Sequence, residues 1–216
     1  MGIMEMKEGL NRTLKTKAAN IFVEGKYYWL AKSQVCEGDM YRLAAASEQE
    51  RIVFGSARPG FSDREVGEWI EFMKRHGIQR VCCLFSEKQL TPYSDLLGIY
   101  QQEFGIQRVC WTPIEDFTLV DLETLIGKIL PFLSIADREG EKVVVHCAGG
   151  VGRTGQVLTA WLVHRHGFSN QAAVATVKKT GRNPYEAASV AVLKGKNPLQ
   201  VVTDFELLLN QCRQSS

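Results

Sequence analysis

The stretch VVVHCAGGVGRTG, Val143 to Gly155, decides the fold. A β-branched apolar run ends at Cys147. Gly149, Gly150 and Gly152 then fall within a short loop, and Arg153 and Thr154 open a longer segment that stops at Gly167. This reads as buried strand, tight loop and helix. A strand apolar on both faces belongs at the centre of a parallel sheet. At such a junction successive backbone N–H groups point inward and the helix N-terminus adds partial positive charge, which together make an anion site. Glycines let the backbone approach the anion closely. Arg153 adds a planar fork suited to two phosphate oxygens. The same field favours thiolate over thiol at Cys147. A thiolate beside a phosphate cradle is a nucleophile aimed at phosphorus.

Working outward, strand and helix signals alternate from Arg51. RIVFGS (51–56) is a short strand. Ser62 and Glu65 form a capping box for a helix to about His76, closed by Gly77. IQRVCCLF (78–85) is a buried strand. Thr91 and Pro92 are expected to open the next helix, which ends near Gly105. IQRVCWTPI (106–114) is expected to be a strand, and Thr118 with Asp121 to cap a helix through about Asp137. Downstream of the loop, Ser169 caps a helix through Lys179, and Thr203 with Glu206 is expected to cap the last one. GIQRVC occurs twice, at Gly77 and at Gly105, 28 residues apart, as two βα units with similar entry chemistry. The pattern predicts an α/β fold, a mainly parallel central sheet with helices on both faces. Residues 1–48 read as an N-terminal extension, in which NIFVEGKYYWLAKS (20–33) predicts two short strands. Residues 49–216 read as the catalytic domain.

Composition narrows the function classes. The 216 residues are 45% hydrophobic and 23% charged, ordinary values for a globular chain. Lys plus Arg is 26 and Asp plus Glu 24, a net charge of +2. A nucleic-acid binder would carry a larger basic excess. The sequence has no apolar run of membrane-spanning length. Cys36, Cys82, Cys83, Cys110, Cys147 and Cys212 fit neither a disulfide framework nor a paired-cysteine zinc site, so a cytoplasmic protein with reduced thiols is expected. His164 and His166 do not share a helix face. They read as favourable charges at a helix C-terminus, not as metal ligands.

HCAGGVGRTG (146–155) resembles the HCxxGxxR motif of the cysteine-dependent protein tyrosine phosphatases, with the required five residues between Cys147 and Arg153. Thr154 stands where that family has Ser or Thr. In WTPIEDF (111–117), Asp116 follows Pro113 and precedes Cys147 by 31 residues, matching the Pro-x-x-Asp context of the general acid in small dual-specificity phosphatases. GRNPYEA (181–187) resembles the Arg-Asn-Pro stretch that follows the two helices after the loop. Together these identify the chain as a member of the small dual-specificity branch, similar to kinase-associated phosphatases and compact prokaryotic relatives.

The resemblance implies the phosphatase fold and a phosphatase activity that needs no cofactor and no metal. Cys147 would be the nucleophile. Ala148, Gly149, Gly150, Val151, Gly152 and Arg153 would hold the phosphate, and His146 would organise the loop. Thr154 would stabilise the departing thiolate. Asp116 would be the acid and then the base, with its neighbour Glu115 left open for that role. The implied substrate is a phosphorylated protein bearing phosphotyrosine or phosphoserine/threonine, acted on by a monomer. Residues 148–152 hold no Lys or His, which argues against a polyphosphorylated substrate. A phosphatase for a small molecule or lipid, and a phosphoprotein-binding module without turnover, remain the alternatives. Cys82 or Cys83 could protect an oxidised Cys147, as cysteines do in some related enzymes. Gln156 reads as an ordinary helix residue.

Overall fold

The computed structural model describes residues 21–23, 26–28, 41–192, 195 and 197–215, with no side-chain detail for the first two segments. The chain divides into two compact units, Met1–Cys36 and Glu37–Ser216. In the first, β1 (Ile21–Val23) and β2 (Lys26–Tyr28) pair antiparallel with Phe22 opposite Tyr27. These are the two short strands expected there. The rest of that expected extension up to Met40 lies outside the described residues.

The second unit holds a five-stranded sheet in the order β3-β4-β7-β5-β6. The strands are β3 (Ala44–Ala45), β4 (Val53–Ser56), β5 (Ile78–Cys83), β6 (Val109–Trp111) and β7 (Lys142–His146). Only β3 runs antiparallel, pairing Ala45 with Phe54. The sheet therefore begins upstream of the 48/49 boundary that composition suggested. β7 lies at the centre, with Val144 opposite Phe54 on one side and Val81 on the other. That placement explains its apolar run. Val143 and Val145 enter one core with Cys82 and Leu84, whereas Val144 enters the other with Val81 and Cys83. Alternation along the strand thus supplies a core on each face.

The helices cover both faces. On one side pack α1 (Asp63–Arg75) and α3 (Leu96–Phe104), burying Trp69, Phe72, Met73 and Tyr100. On the other pack α4, α5 (Gly152–His166), α6 (Asn170–Lys179) and α8 (Pro198–Gln214). Helix α4 starts at Leu122, widens to a π-helical turn over Leu125–Ile129 and continues through Glu139. Short helices α2 (Glu87–Leu90) and α7 (Glu186–Ser189) flank the loop end of the sheet. Helix α5 is buried from Gly152 through Val163, as a helix wrapped by its neighbours must be.

Several helix starts depart from the sequence expectation. The Ser62–Glu65 box forms as read, and Ser169 caps α6. Thr91–Pro92 does not open a helix. Thr91 ends α2, its hydroxyl donating to Lys88 O (2.9 Å), and Asp95 caps α3 through Gly98 N (3.0 Å). Thr118 is not a cap either. Its hydroxyl donates to Glu115 O (2.8 Å), and Asp121 itself caps α4 through Thr124 N (2.8 Å). Thr203 lies inside α8, which Asn197 caps with Pro198 in its first turn. In each case a carboxylate or amide a few residues away takes the capping role from a hydroxyl.

The GIQRVC repeat is half structural. Gly77 and Gly105 both take positive φ, 78° and 96°. Residues 78–80 are then strand, but Ile106–Arg108 is a 3₁₀ turn, so β6 is shorter than read. The repeated arginines converge: Arg80 Nε donates to Glu141 Oε2 (2.6 Å) and Arg108 Nε to Glu141 Oε1 (3.1 Å). A buried carboxylate, Glu50, accepts from Ile52 N (2.8 Å) and Trp161 Nε1 (2.8 Å) and meets His166 Nε2 at 2.8 Å. Thus His166 hydrogen-bonds a buried structural carboxylate near the end of α5.

Candidate active site

Cys147 follows the last residue of β7, and the loop turns directly into α5. Cys147 is 3% exposed, and Thr154 Oγ1 donates to its Sγ at 3.2 Å. Gly150 makes this turn possible. Its φ is 68°, and a Cβ there would collide with the Ser56 carbonyl at the end of β4. Gly152 also packs closely, because a Cβ there would meet the Glu186 side chain of α7. Burial, then the charge of Asp116, push the Glu186 carboxyl above its ordinary range.

Arg153, 2% exposed, is held from three directions. Its Nη1 donates to Leu84 O (3.3 Å), Ile114 O (2.8 Å) and Gln89 Oε1 (2.7 Å). Its Nη2 lies 3.0 Å from Asp116 Oδ1. Its Nε is buried without a hydrogen-bond partner among the described residues. A fixed guanidinium with a free buried N–H is a preorganised donor for an oxyanion.

Asp116 lies on the loop between β6 and α4, with a side chain 43% exposed. Glu115 is exposed on the same loop and lines the same cleft. The ion pair to Arg153 belongs to Asp116. The next residue, Phe117, takes a positive φ of 56°. The far side of this loop is pinned from α5: Gln156 Oε1 accepts from Val120 N (2.9 Å) and its Nε2 donates to Thr118 O (3.0 Å).

His146 sits in an aromatic cage, its ring 5.3 Å from Trp69, 5.2 Å from Phe85 and 5.7 Å from Tyr100. Burial lowers its pKa to about 3, so the imidazole is neutral at any working pH. A backbone hydrogen bond to Cys147 works against that lowering but is outweighed by burial. The ring thus sits in an apolar cage beneath the loop that follows it. Cys83 pairs in register with His146, and burial pushes its thiol up to about 12.

The structure thus brings Cys147, the loop 148–152, Arg153, Thr154 and Asp116 together. It also adds residues that sequence reading passed over. Gln156 is buried and grips the loop that carries Asp116. Gln89 orients Arg153 from α2, a segment without any motif. Arg182, from the GRNPYEA stretch, is 3% exposed and donates to Gly55 O (2.5 Å), Arg42 O (2.9 Å) and Thr180 O (2.6 Å). Burial lowers its pKa to about 10. It ties the end of β4 to Arg42 and Thr180. A Cβ on Gly55 would stand 2.6 Å from Arg182 Nε and 2.7 Å from the Thr154 methyl group, so that packing requires glycine.

A cysteine at a strand end, a glycine-lined loop, a buried arginine and an acid paired to it are the parts of a cysteine-dependent phosphatase. The family model for the dual specificity phosphatase catalytic domain matches residues 65–190, and the chain belongs to that family, in its small branch. It is 31% identical over 80 residues to the putative tyrosine phosphatase 123R of Invertebrate iridescent virus 6, covering 37% of this chain and 56% of the viral protein. The chain therefore matches about half the length of that relative. Tk-PTP in its active form is 29% identical with a TM-score of 0.55, over 73% of this chain and 92% of that one. Kinase associated phosphatase, crystallised with its catalytic cysteine changed to serine, is 25% identical with a TM-score of 0.53, over 61% and 78%.

Proposed function

We propose that this chain hydrolyses phosphomonoesters without a metal, through a cysteinyl-phosphate on Cys147, and that its substrates are proteins carrying phosphotyrosine or phosphoserine/threonine. The observation that carries the reading is the Arg153–Asp116 contact at 3.0 Å, which ties the acid loop to the nucleophile's own loop. Cys147 Sγ attacks phosphorus in line, forming the S–P bond as the ester P–O bond breaks. The loop N–H groups and the Arg153 guanidinium hold the equatorial oxygens, where charge concentrates in the transition state. Asp116 gives its proton to the leaving oxygen, then takes one from the water that attacks the cysteinyl-phosphate. Thr154 donates to Sγ as the thiolate departs. Substrate enters as Asp116 releases Arg153, since both need the guanidinium.

The test is hydrolysis of para-nitrophenyl phosphate in EDTA from pH 5 to 8. Wild type should turn over and Cys147→Ser should not. Asp116→Asn should lose most activity while Glu115→Gln keeps it. Inactivity of folded wild type would sink the reading, and loss on Glu115→Gln alone would move the acid to that residue.

A further inference from the structure

We infer that Cys82 and Cys110 are a redox-active dithiol, which a hydroperoxide closes to a disulfide at the root of the loop carrying Asp116, slowing turnover. The slowing rests on the phosphatase reading above; formation of the bond does not. The two cysteines stand opposite each other where β5 pairs with β6. Partners in register on neighbouring strands have α-carbons about 4.8 Å apart and side chains on the same face. That spacing falls within the span of about 4.4–6.8 Å that a disulfide bridges. Both side chains meet the core on the α5 side of the sheet, and the Cys82 thiol donates to Cys110 Sγ. Both are free thiols in the structure.

One member of the pair meets solvent and the other does not. Cys82 is fully buried. Cys110 is half-buried and lines a cleft of about 450 Å³ with Lys128 of α4, Phe132 and Ile135. The hydrogen bond from Cys82, helped by the charge of Lys128, outweighs burial and lowers the pKa of Cys110. The same hydrogen bond, then burial, raise that of Cys82. Cys110 is therefore the member that reacts as thiolate, and Cys82 keeps its proton. Burial pushes Cys83 up to about 12 and Cys212 up to about 11, which leaves both unreactive.

Cys110 Sγ attacks the hydroperoxide and the O–O bond breaks. The alkoxide released takes up the proton that Cys110 gave to solvent, and Cys110 becomes a sulfenic acid. Cys82 Sγ then attacks that sulfur, forming the S–S bond as the S–O bond breaks, and the oxygen leaves as water with the Cys82 proton. The two thiols lose two electrons in all, and the hydroperoxide is reduced to an alcohol and water.

The bond acts on the active site through the strand itself. Beyond Cys110, Thr112 N donates to Cys83 O (3.0 Å) and Ile114 N to Leu84 O (3.4 Å). The Ile114 carbonyl holds Arg153 Nη1 (2.8 Å), and Asp116 pairs with the same guanidinium. Drawing β6 onto β5 at Cys110 displaces both of these partners of Arg153.

The experiment treats the full chain with hydrogen peroxide in phosphate buffer, the phosphate shielding Cys147, and maps disulfides by mass spectrometry of unreduced peptides. The expected product joins Cys82 to Cys110 in wild type and in Cys147→Ser alike. Once peroxide and phosphate are removed, kcat for para-nitrophenyl phosphate should be about tenfold lower with KM little changed, as for a misplaced acid. Dithiothreitol should restore it. Cys110→Ser, at the half-buried position, should turn over like untreated wild type and ignore peroxide, and Cys82→Ala should ignore it too. Four results overturn the inference: no Cys82–Cys110 peptide, a disulfide from Cys147 to Cys82 or Cys83 in its place, a mapped Cys82–Cys110 bond with kcat unchanged, or an equal loss of activity in Cys110→Ser. Untreated wild type that never turns over, with the bond still mapped in Cys147→Ser, overturns the phosphatase reading and the slowing but establishes the dithiol.

Discussion

Gln156, in the first turns of the helix that follows the catalytic loop, grips Val120 on the far side of the acid loop: its Oε1 accepts the Val120 N–H at 2.9 Å. The second arm of the same amide reaches Thr118 O at 3.0 Å. One buried side chain therefore sets the distance between the helix carrying Arg153 and the loop carrying Asp116. Gln156→Leu leaves a buried N–H and a carbonyl unsatisfied, at about 1–3 kcal/mol. The loop loses its anchor. The expected result is a fall in kcat of about tenfold with a lower melting temperature. A stability loss with kcat unchanged would show that the loop is set elsewhere.

Thr154 donates to Cys147 Sγ at 3.2 Å. A hydrogen bond to a charged acceptor contributes about 1.5–3 kcal/mol. It is formed fully only when the thiolate is free, so its removal slows breakdown of the cysteinyl-phosphate more than its formation. Thr154→Val should show a burst of para-nitrophenol followed by a steady rate about 10- to 100-fold below wild type. Rapid-quench detection of phosphoenzyme checks the assignment.

Gly150→Ala should abolish turnover without unfolding the domain. The φ of 68° costs an alanine about 1–2 kcal/mol, and the new methyl would displace the Ser56 carbonyl from beneath the loop. Phosphate or vanadate binding, followed by calorimetry, should be lost along with activity.

His146 yields a pH prediction. Its folded pKa of about 3 lies below the 6.5 of the unfolded chain. Between those values the unfolded state binds the proton and the folded state does not, so stability rises with pH there and falls on acidification. The slope approaches about 1.4 kcal/mol per pH unit below pH 6. Glu50 acts lower down. Burial raises its pKa, but the Ile52 N–H, Trp161 and His166 outweigh that and leave it lowered, so its stabilisation is lost as pH falls through its folded value. Denaturant unfolding from pH 7 to 5 should show a decline that His146→Leu flattens. An unchanged slope in that variant would assign the decline to other groups.

How much was legible follows from how far apart the partners lie in the chain. Strand β7, the loop and α5 are contiguous, so Cys147, Arg153 and Thr154 could be read directly, and Asp116 needed only a short motif one helix upstream. Helix ends were less legible. A hydroxyl three residues before an acid looks the same at Ser62 as at Thr118, yet Ser62 caps its helix while Thr118 turns its hydroxyl back to Glu115. Nothing local tells them apart, because the competing cap, Asp121, wins by the position of the whole loop. The repeat at Gly77 and Gly105 shows the same limit: both enter with positive φ, but only the first lies between two strands and becomes fully extended.

The amino-acid sequence alone determined the α/β alternation, the strand-loop-helix junction and the chemistry of the loop, since each depends on residues close in the chain and on local conformational preference. Tertiary structure decided what surrounds them. Gln89 reaches Arg153 from α2, Arg182 and Glu186 arrive from beyond two helices, and Arg58 is tied to the loop by a backbone hydrogen bond between the ends of neighbouring strands. None of these lies within a helical turn of the motif it serves, so only packing of the sheet and its two layers could bring them there.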